Sequence, residues 1–292
     1  MKVCIIRKAV VLLLPFLLSM PLEGLCQQRY RIGVCDWMML KRQKLGEFLL
    51  TKTVGADGVE VDMGPLGKRP MFENRFRHVA DADLFKRTAD SLGVAVPSIA
   101  MSGFFAQNFI THYNYRALIE DCLQTMQLFH AKVAFLPLGG SGSEWMHPGV
   151  MRDELVSRLR VAGEMALQAG VVIGIRTGQG AKADIALLEE VGSEGIKVYY
   201  NLQDAVDGGR NPYKELRKLG RKRVCQIHAS LTDSVTLDRD PRISLPRLRA
   251  TLDKMKWQGW LVVERSRDAS RVRDVKYNFS TNVACLKDVF GE

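Results

Sequence analysis

VVIGIR at 171–176, IKVYYN at 196–201, VCQIH at 224–228 and WLVVE at 260–264 share one layout: a short apolar run closed by a single polar residue. The closing residues are Arg176, Asn201, His228 and Glu264. Runs of this length without polar alternation read as parallel strands buried on both faces, and the segments between them read as helices. In a barrel of such units the C-terminal strand ends form the functional face, so these four side chains are expected to gather at one mouth.

Working outward, the same alternation continues to the start of the chain. Tyr30–Cys35 reads as strand one, followed by an amphipathic stretch from Lys41 to Val54 and by strand two, Gly58–Asp62. Glu60 and Asp62 share one face of that strand, opposite Val59 and Val61. Asp81–Leu92 reads as a helix stopped by Gly93, and Val94–Ala100 as strand three. Asn114 is placed to cap a helix through Phe129, with Lys132–Leu136 as strand four and Arg152–Gln168 as the next helix. Helices over Ala181–Val191, Pro212–Leu219 (capped by Asn211), Ser244–Met255 and Lys276–Phe290 complete eight β/α units, which predicts a single (β/α)8 barrel over 27–292. An open doubly wound sheet is the weaker alternative, because no dinucleotide fingerprint follows strand one.

Residues 1–26 read as a signal peptide outside the fold. Lys2, Arg7 and Lys8 precede the apolar run Ala9–Leu18, and Gly24 and Cys26 occupy the −3 and −1 positions of a cleavage site. The expectation is export to the periplasm; Glu23-Gly24-Leu25 makes a poor approach to lipid attachment at Cys26. Removing three cations and one anion takes the formal charge from +10 to +8. No later segment is long and apolar enough to span a bilayer. The basic runs Arg217–Arg223 and Arg265–Lys276 read as solvated surface rather than as a nucleic-acid interface. Cys35, Cys122, Cys225 and Cys285 are far apart and form no C-x-x-C pair, so free thiols are expected and a cysteine zinc site is not.

Gly58-Val59-Glu60-Val61, Val172-Ile173-Gly174-Ile175, Val198-Tyr199-Tyr200, Cys225-Gln226-Ile227-His228-Ala229 and Trp260-Leu261-Val262-Val263-Glu264-Arg265-Ser266 together resemble the sugar phosphate isomerase/epimerase family, the xylose-isomerase-like barrels. The resemblance covers the chain after the signal and implies a carbohydrate-directed TIM barrel. It also implies a divalent metal such as Mn or Zn, held by Glu, Asp, His and Glu at the ends of strands five to eight. Here those positions carry Arg176, Asn201, His228 and Glu264, and only the last two match.

That departure is large in charge. Three carboxylates and an imidazole present roughly −3 to a dication, whereas the present set sums to about zero. A guanidinium has no lone pair to donate and stays protonated. At about 4 Å from Glu264, Arg176 would gain about 4 kcal/mol of attraction at an effective dielectric near 20, before desolvation. The expectation is therefore no bound metal or other cofactor, with Arg176 standing as a built-in cation.

Within the implied chemistry, Glu264, Arg176 and His228 are the candidate catalytic residues. Glu60, Asn201, Trp145 and His147 are the candidate substrate-binding residues, with Phe104 and Phe105 completing an apolar wall. Gln226 faces inward with His228 and is expected to satisfy a neighbour inside the barrel. The loop Gly139–Ser143 lacks the lysine of a phosphate-binding loop and reads as a flexible connection. Two functions follow: an isomerase or epimerase of a small sugar or keto-sugar, or a carbohydrate-binding homologue that keeps the pocket without the chemistry.

Overall fold

The computed structural model describes residues 28–40 and 42–291. The signal-peptide reading, and Lys41 at the start of the first amphipathic stretch, lie outside those residues. Eight parallel strands close into a barrel in chain order: β1 (Tyr30–Cys35), β2 (Gly58–Asp62), β3 (Ser98–Ala100), β4 (Val133–Pro137), β5 (Val172–Arg176), β6 (Ile196–Asn201), β7 (Val224–His228) and β8 (Gly259–Val263). β8 pairs back onto β1 from Tyr30↔Gly259 to Val34↔Val263, so no strand edge is left open. The single-barrel expectation holds, and the family's (β/α)8 form is the observed one.

The helices ring the barrel and bury their apolar stripes against its outer surface. Asn211 and Ser244 each accept a backbone N–H three residues on, with a proline in the first turn of both helices. Asn114 departs from expectation: it sits at the start of the helix Tyr115–Phe129, but its side-chain amide donates to the Pro70 carbonyl instead of capping. Strand three is shorter than expected, because after an isolated bridge at Ala95 the chain pairs again only from Ser98. Among the described residues, no helix is long and apolar enough to cross a membrane. Cys35, Cys122, Cys225 and Cys285 are free thiols, the first two buried.

Aromatic and polar side chains fill the barrel. Phe135 and Tyr199 lie 4.7 Å apart between ring centroids, and His228 stands 4.8 and 4.4 Å from them. Gly174 on β5 makes room for this packing, since a Cβ there would stand 2.6 Å from Cys225 Sγ and 2.9 Å from Tyr199 Cβ. Tyr199 therefore reaches the centre of the barrel, and the polar atoms it carries organise the site above.

Candidate active site

Parallel strands bring their C-terminal residues to one rim, and β5 to β8 deliver Arg176, Asn201, His228 and Glu264 there as the alternation predicts. Glu264 follows β8 and is 3 % exposed. Its Oε2 accepts from Arg176 Nη1 at 3.3 Å and Asn201 Nδ2 at 3.3 Å, and lies 3.6 Å from His228 Nδ1. Two residues later Ser266 takes φ 67, a conformation costly for a side chain with a Cβ. The turn is pinned there: Ser266 Oγ accepts from the Leu231 amide at 2.7 Å, and Asn282 Nδ2 donates to the Ser266 carbonyl at 2.8 Å. The backbone amides of Glu264 and Arg265 both donate to Ser230 Oγ, which fixes where the carboxylate points.

His228 is fully buried and held from below. Its Nε2 lies 2.9 Å from Glu60 Oε1, and the other oxygen of Glu60 accepts from Ser98 Oγ at 2.6 Å and Tyr199 Oη at 2.8 Å. Gln226 Nε2 donates to both of those hydroxyls, each at 2.8 Å, as expected of an inward glutamine. Burial first, then the charge on Glu60, pushes the Tyr199 phenol well above its ordinary value, so it stays a donor. An ionised carboxylate can only accept, so the hydrogen on Nε2 is directed at Glu60. In neutral His228 this leaves Nδ1 as a lone pair facing the mouth, 3.5 Å from Asn201 Nδ2.

Arg176 is clamped more firmly than its strand-end position suggests. Nε and Nη2 make a bidentate pair with Asp204 at 2.8 and 2.7 Å, and the guanidinium lies 5.4 Å from the Phe105 ring centroid. Burial opposes its charge, but the Asp204 hydrogen bond and the Glu264 charge outweigh that and hold its pKa above the ordinary guanidinium value. Asp204 is a site residue that sequence reasoning missed. It sits in the short helix Leu202–Asp207, where Asn201 is the cap and its Oδ1 accepts from the Asp204 amide at 3.3 Å. The signal was present as an Asn with an acid three residues on.

The aromatic wall differs from the expected one. Trp145 is 2 % exposed, packed in the hydrophobic core with its indole N–H on the Gly142 carbonyl at 2.9 Å, so its face is not offered to a ligand. His147 is exposed on the same loop, and Phe104 is buried. The aromatics beside the charged cluster are Phe105, 37 % exposed, and Trp37, which stacks parallel to Phe135 at 6.2 Å and meets His228 edge-on at 6.1 Å. Trp37 follows β1 directly and was also missed. The loop Gly139–Ser143 is braced rather than free: Ser141 Oγ accepts from the Phe109 amide at 3.2 Å, and a Cβ on Gly140 would stand 2.2 Å from the Gln107 carbonyl. Its glycine serves close backbone packing.

The donor set at the mouth does not fit a divalent cation. Two hydrogen-bond donors are aimed at Glu264 Oε2, where a cation would bond, and the Asn201 oxygen is turned to the Asp204 amide. Only the imidazole and one carboxylate remain as ligands. Among the described residues, no group of three or more His, Cys, Asp or Glu is placed to hold one ion.

A second buried acidic cluster lies beside the first two strands. Asp62 pairs with Arg42 at 2.8 Å, and its Oδ2 accepts from the Ser102 amide at 3.1 Å. Asp36 Oδ2 accepts from the Gln43 and Asp62 amides, while Asp36 Oδ1 and Glu47 Oε1 are buried without a donor. Asp36 bears on Glu47 as both charge and hydrogen-bond partner, so a proton carried by either acid relieves both. Burial, then the charge of Asp62, pushes Asp36 up to about 8; burial, opposed by Arg42, pushes Asp62 to about 6; burial, then the charge of Asp36, holds Glu47 well above the carboxylate range. The folded cluster thus holds protons that the unfolded chain releases near pH 4, so its contribution to stability is full in acid and is lost as pH rises from about 4 through about 6 to 8. Urea unfolding at pH 5.5 and 8.5 should give a lower midpoint at the higher pH, and Asp36→Asn should flatten that difference. Equal midpoints for the native chain would remove the bound protons.

A family model described as xylose isomerase-like TIM barrel matches residues 48–288, and the chain belongs to that family. No curated protein matches the chain. Among solved structures, it is similar to a D-psicose 3-epimerase studied in the presence of D-fructose, at 14 % identity over 90 % of this chain and 100 % of the other, with a TM-score of 0.69. A 3-keto-D-glucoside 4-epimerase from E. coli matches at 16 % identity over 89 % and 99 %, TM-score 0.69. A sugar phosphate isomerase/epimerase from Parabacteroides distasonis matches at 12 % identity over 92 % and 98 %, TM-score 0.68. At these identities the likeness is one of fold.

Proposed function

We propose that the protein is an exported isomerase or epimerase of a small free sugar or keto-sugar that works without the divalent metal its family would use. The observation that carries the reading is the convergence of Arg176, Asn201 and His228 on one carboxylate, Glu264, at the barrel mouth. Two of the fold relatives are epimerases of D-psicose and of 3-keto-D-glucosides, which supports a carbohydrate ligand.

In this reading Glu264 removes the proton from the carbon beside a substrate carbonyl. Arg176 steadies the oxygen on which negative charge grows: Asp204 and Glu264 take one N–H each from Nε, Nη2 and Nη1, and each Nη nitrogen keeps another for substrate. His228, with Nδ1 toward the mouth, can receive a hydroxyl proton. Phe105 and Trp37 offer apolar faces to the C–H side of a sugar. Proton transfer from one face suits a 1,2-shift better than epimerisation, which needs acid–base groups on both faces. Export favours a free sugar or glycoside fragment over a phosphorylated one.

Incubation with D-fructose, D-psicose and a 3-keto-glucoside in D2O tests the reading. Deuterium should enter beside the carbonyl of at least one of them, and Glu264→Gln should slow entry by about 100-fold or more. No exchange, together with saturable sugar binding, favours a carbohydrate-binding homologue without catalysis. Tight selective binding of a sugar phosphate overturns the free-sugar assignment.

A further inference from the structure

A cavity of about 500 Å³ opens at the opposite end of the barrel, beneath the N-terminal ends of the strands and away from Glu264. Its wall is largely apolar, with Leu128 and Trp260 among its surfaces, and Gln226 reaches it from inside the barrel. Three cations, Arg31, Lys86 and Lys132, line it against one carboxylate, Asp90. The Arg31 guanidinium carbon lies over the Trp260 ring, 4.1 Å from its centroid. No carboxylate forms an ion pair with any of the three among the described residues. Gln226 Oε1 is buried with no hydrogen-bond partner, because the amide nitrogen of that side chain is committed upward to Ser98 and Tyr199.

Unpaired cations around an apolar concavity of this size are an arrangement for a small ligand with an anionic head and an apolar body. The charge excess supplies attraction for the head, and the Arg31–Trp260 pair sets a weakly hydrated surface beside it. We infer that this lower cavity is a second ligand site, selective for a soluble organic anion carrying an apolar or aromatic group. It is independent of the chemistry at the mouth.

The probe is 1-anilinonaphthalene-8-sulfonate, compared with uncharged N-phenyl-1-naphthylamine, which has the same rings without the sulfonate. Titration of the purified folded protein should give one saturable site for the sulfonate, bound at least tenfold more tightly than the uncharged dye. Lys132→Glu reverses an exposed charge at the rim and should weaken the sulfonate at least tenfold while leaving the circular dichroism spectrum unchanged; Lys86→Glu should do the same. Equal affinity for the two dyes, or unchanged sulfonate binding in both folded variants, overturns the assignment.

Discussion

A chain carrying Arg176→Glu together with Asn201→Asp is expected to bind Mn2+ far more tightly than the native chain. The four strand-end positions would then present three carboxylates and the His228 Nδ1 lone pair, and both donors now aimed at Glu264 Oε2 would be gone. Glu60 already orients the imidazole from behind, as a carboxylate does for a ligating histidine. A ligand present at 100 times its Kd raises stability by about 2.7 kcal/mol, which for a chain of this size is roughly 5–10 °C in Tm. The measurement is thermal unfolding with and without Mn2+, with metal content after dialysis as a second readout. If the folded double variant gains neither, the positional matching to the family's metal site is wrong. A native chain purified with a stoichiometric divalent ion at the mouth would sink the metal-free reading from the other side.

Arg176→Met should be costly for stability. It leaves Glu264 and Asp204 at the rim without their shared cation, and removing one partner of a buried pair costs about 3–5 kcal/mol. Asp204 is partly exposed, which places the expectation near 3 kcal/mol. The pH dependence has a definite sign. Without the guanidinium the two carboxylates keep their burial and lose the charge that offsets it, a penalty relieved when they take up protons. Stability contributed by the bound protons is present in acid and lost as pH rises. The deficit relative to the native chain should therefore be larger at pH 8 than at pH 5, as read by urea unfolding. A deficit under about 1 kcal/mol, or one larger at pH 5, would mean that the Arg176 cluster is a solvated surface pair.

The barrel and its mouth were legible because burial on both faces of parallel strands leaves a signal in single residues. An apolar run that stops at one polar side chain marks where a strand leaves the core, and Arg176, Asn201, His228 and Glu264 are found at those ends. The inward pairing of Gln226 followed from period-two geometry alone. What lay between strands was harder to read. Asp204 and Arg42 act through side chains that fold back over the rim, and their partners are set by tertiary approach rather than by spacing. Trp145 and Trp37 show the same difficulty for aromatics. Both follow a strand end, yet one packs into the core and the other stands by the site, and nothing in an indole announces which.

The interior of the barrel also carries a direction. From the Gln226 amide through Ser98 and Tyr199 to Glu60, every hydrogen is already committed, each donor aimed at the next acceptor until two hydroxyls and an imidazole end on one carboxylate. Such a chain has no vacancy along which a proton could hop downward, so whatever charge His228 or Glu264 takes up must arrive and depart through the open rim. The shaft beneath them works as an insulator, and the cup at the mouth can exchange protons only with what enters through the rim.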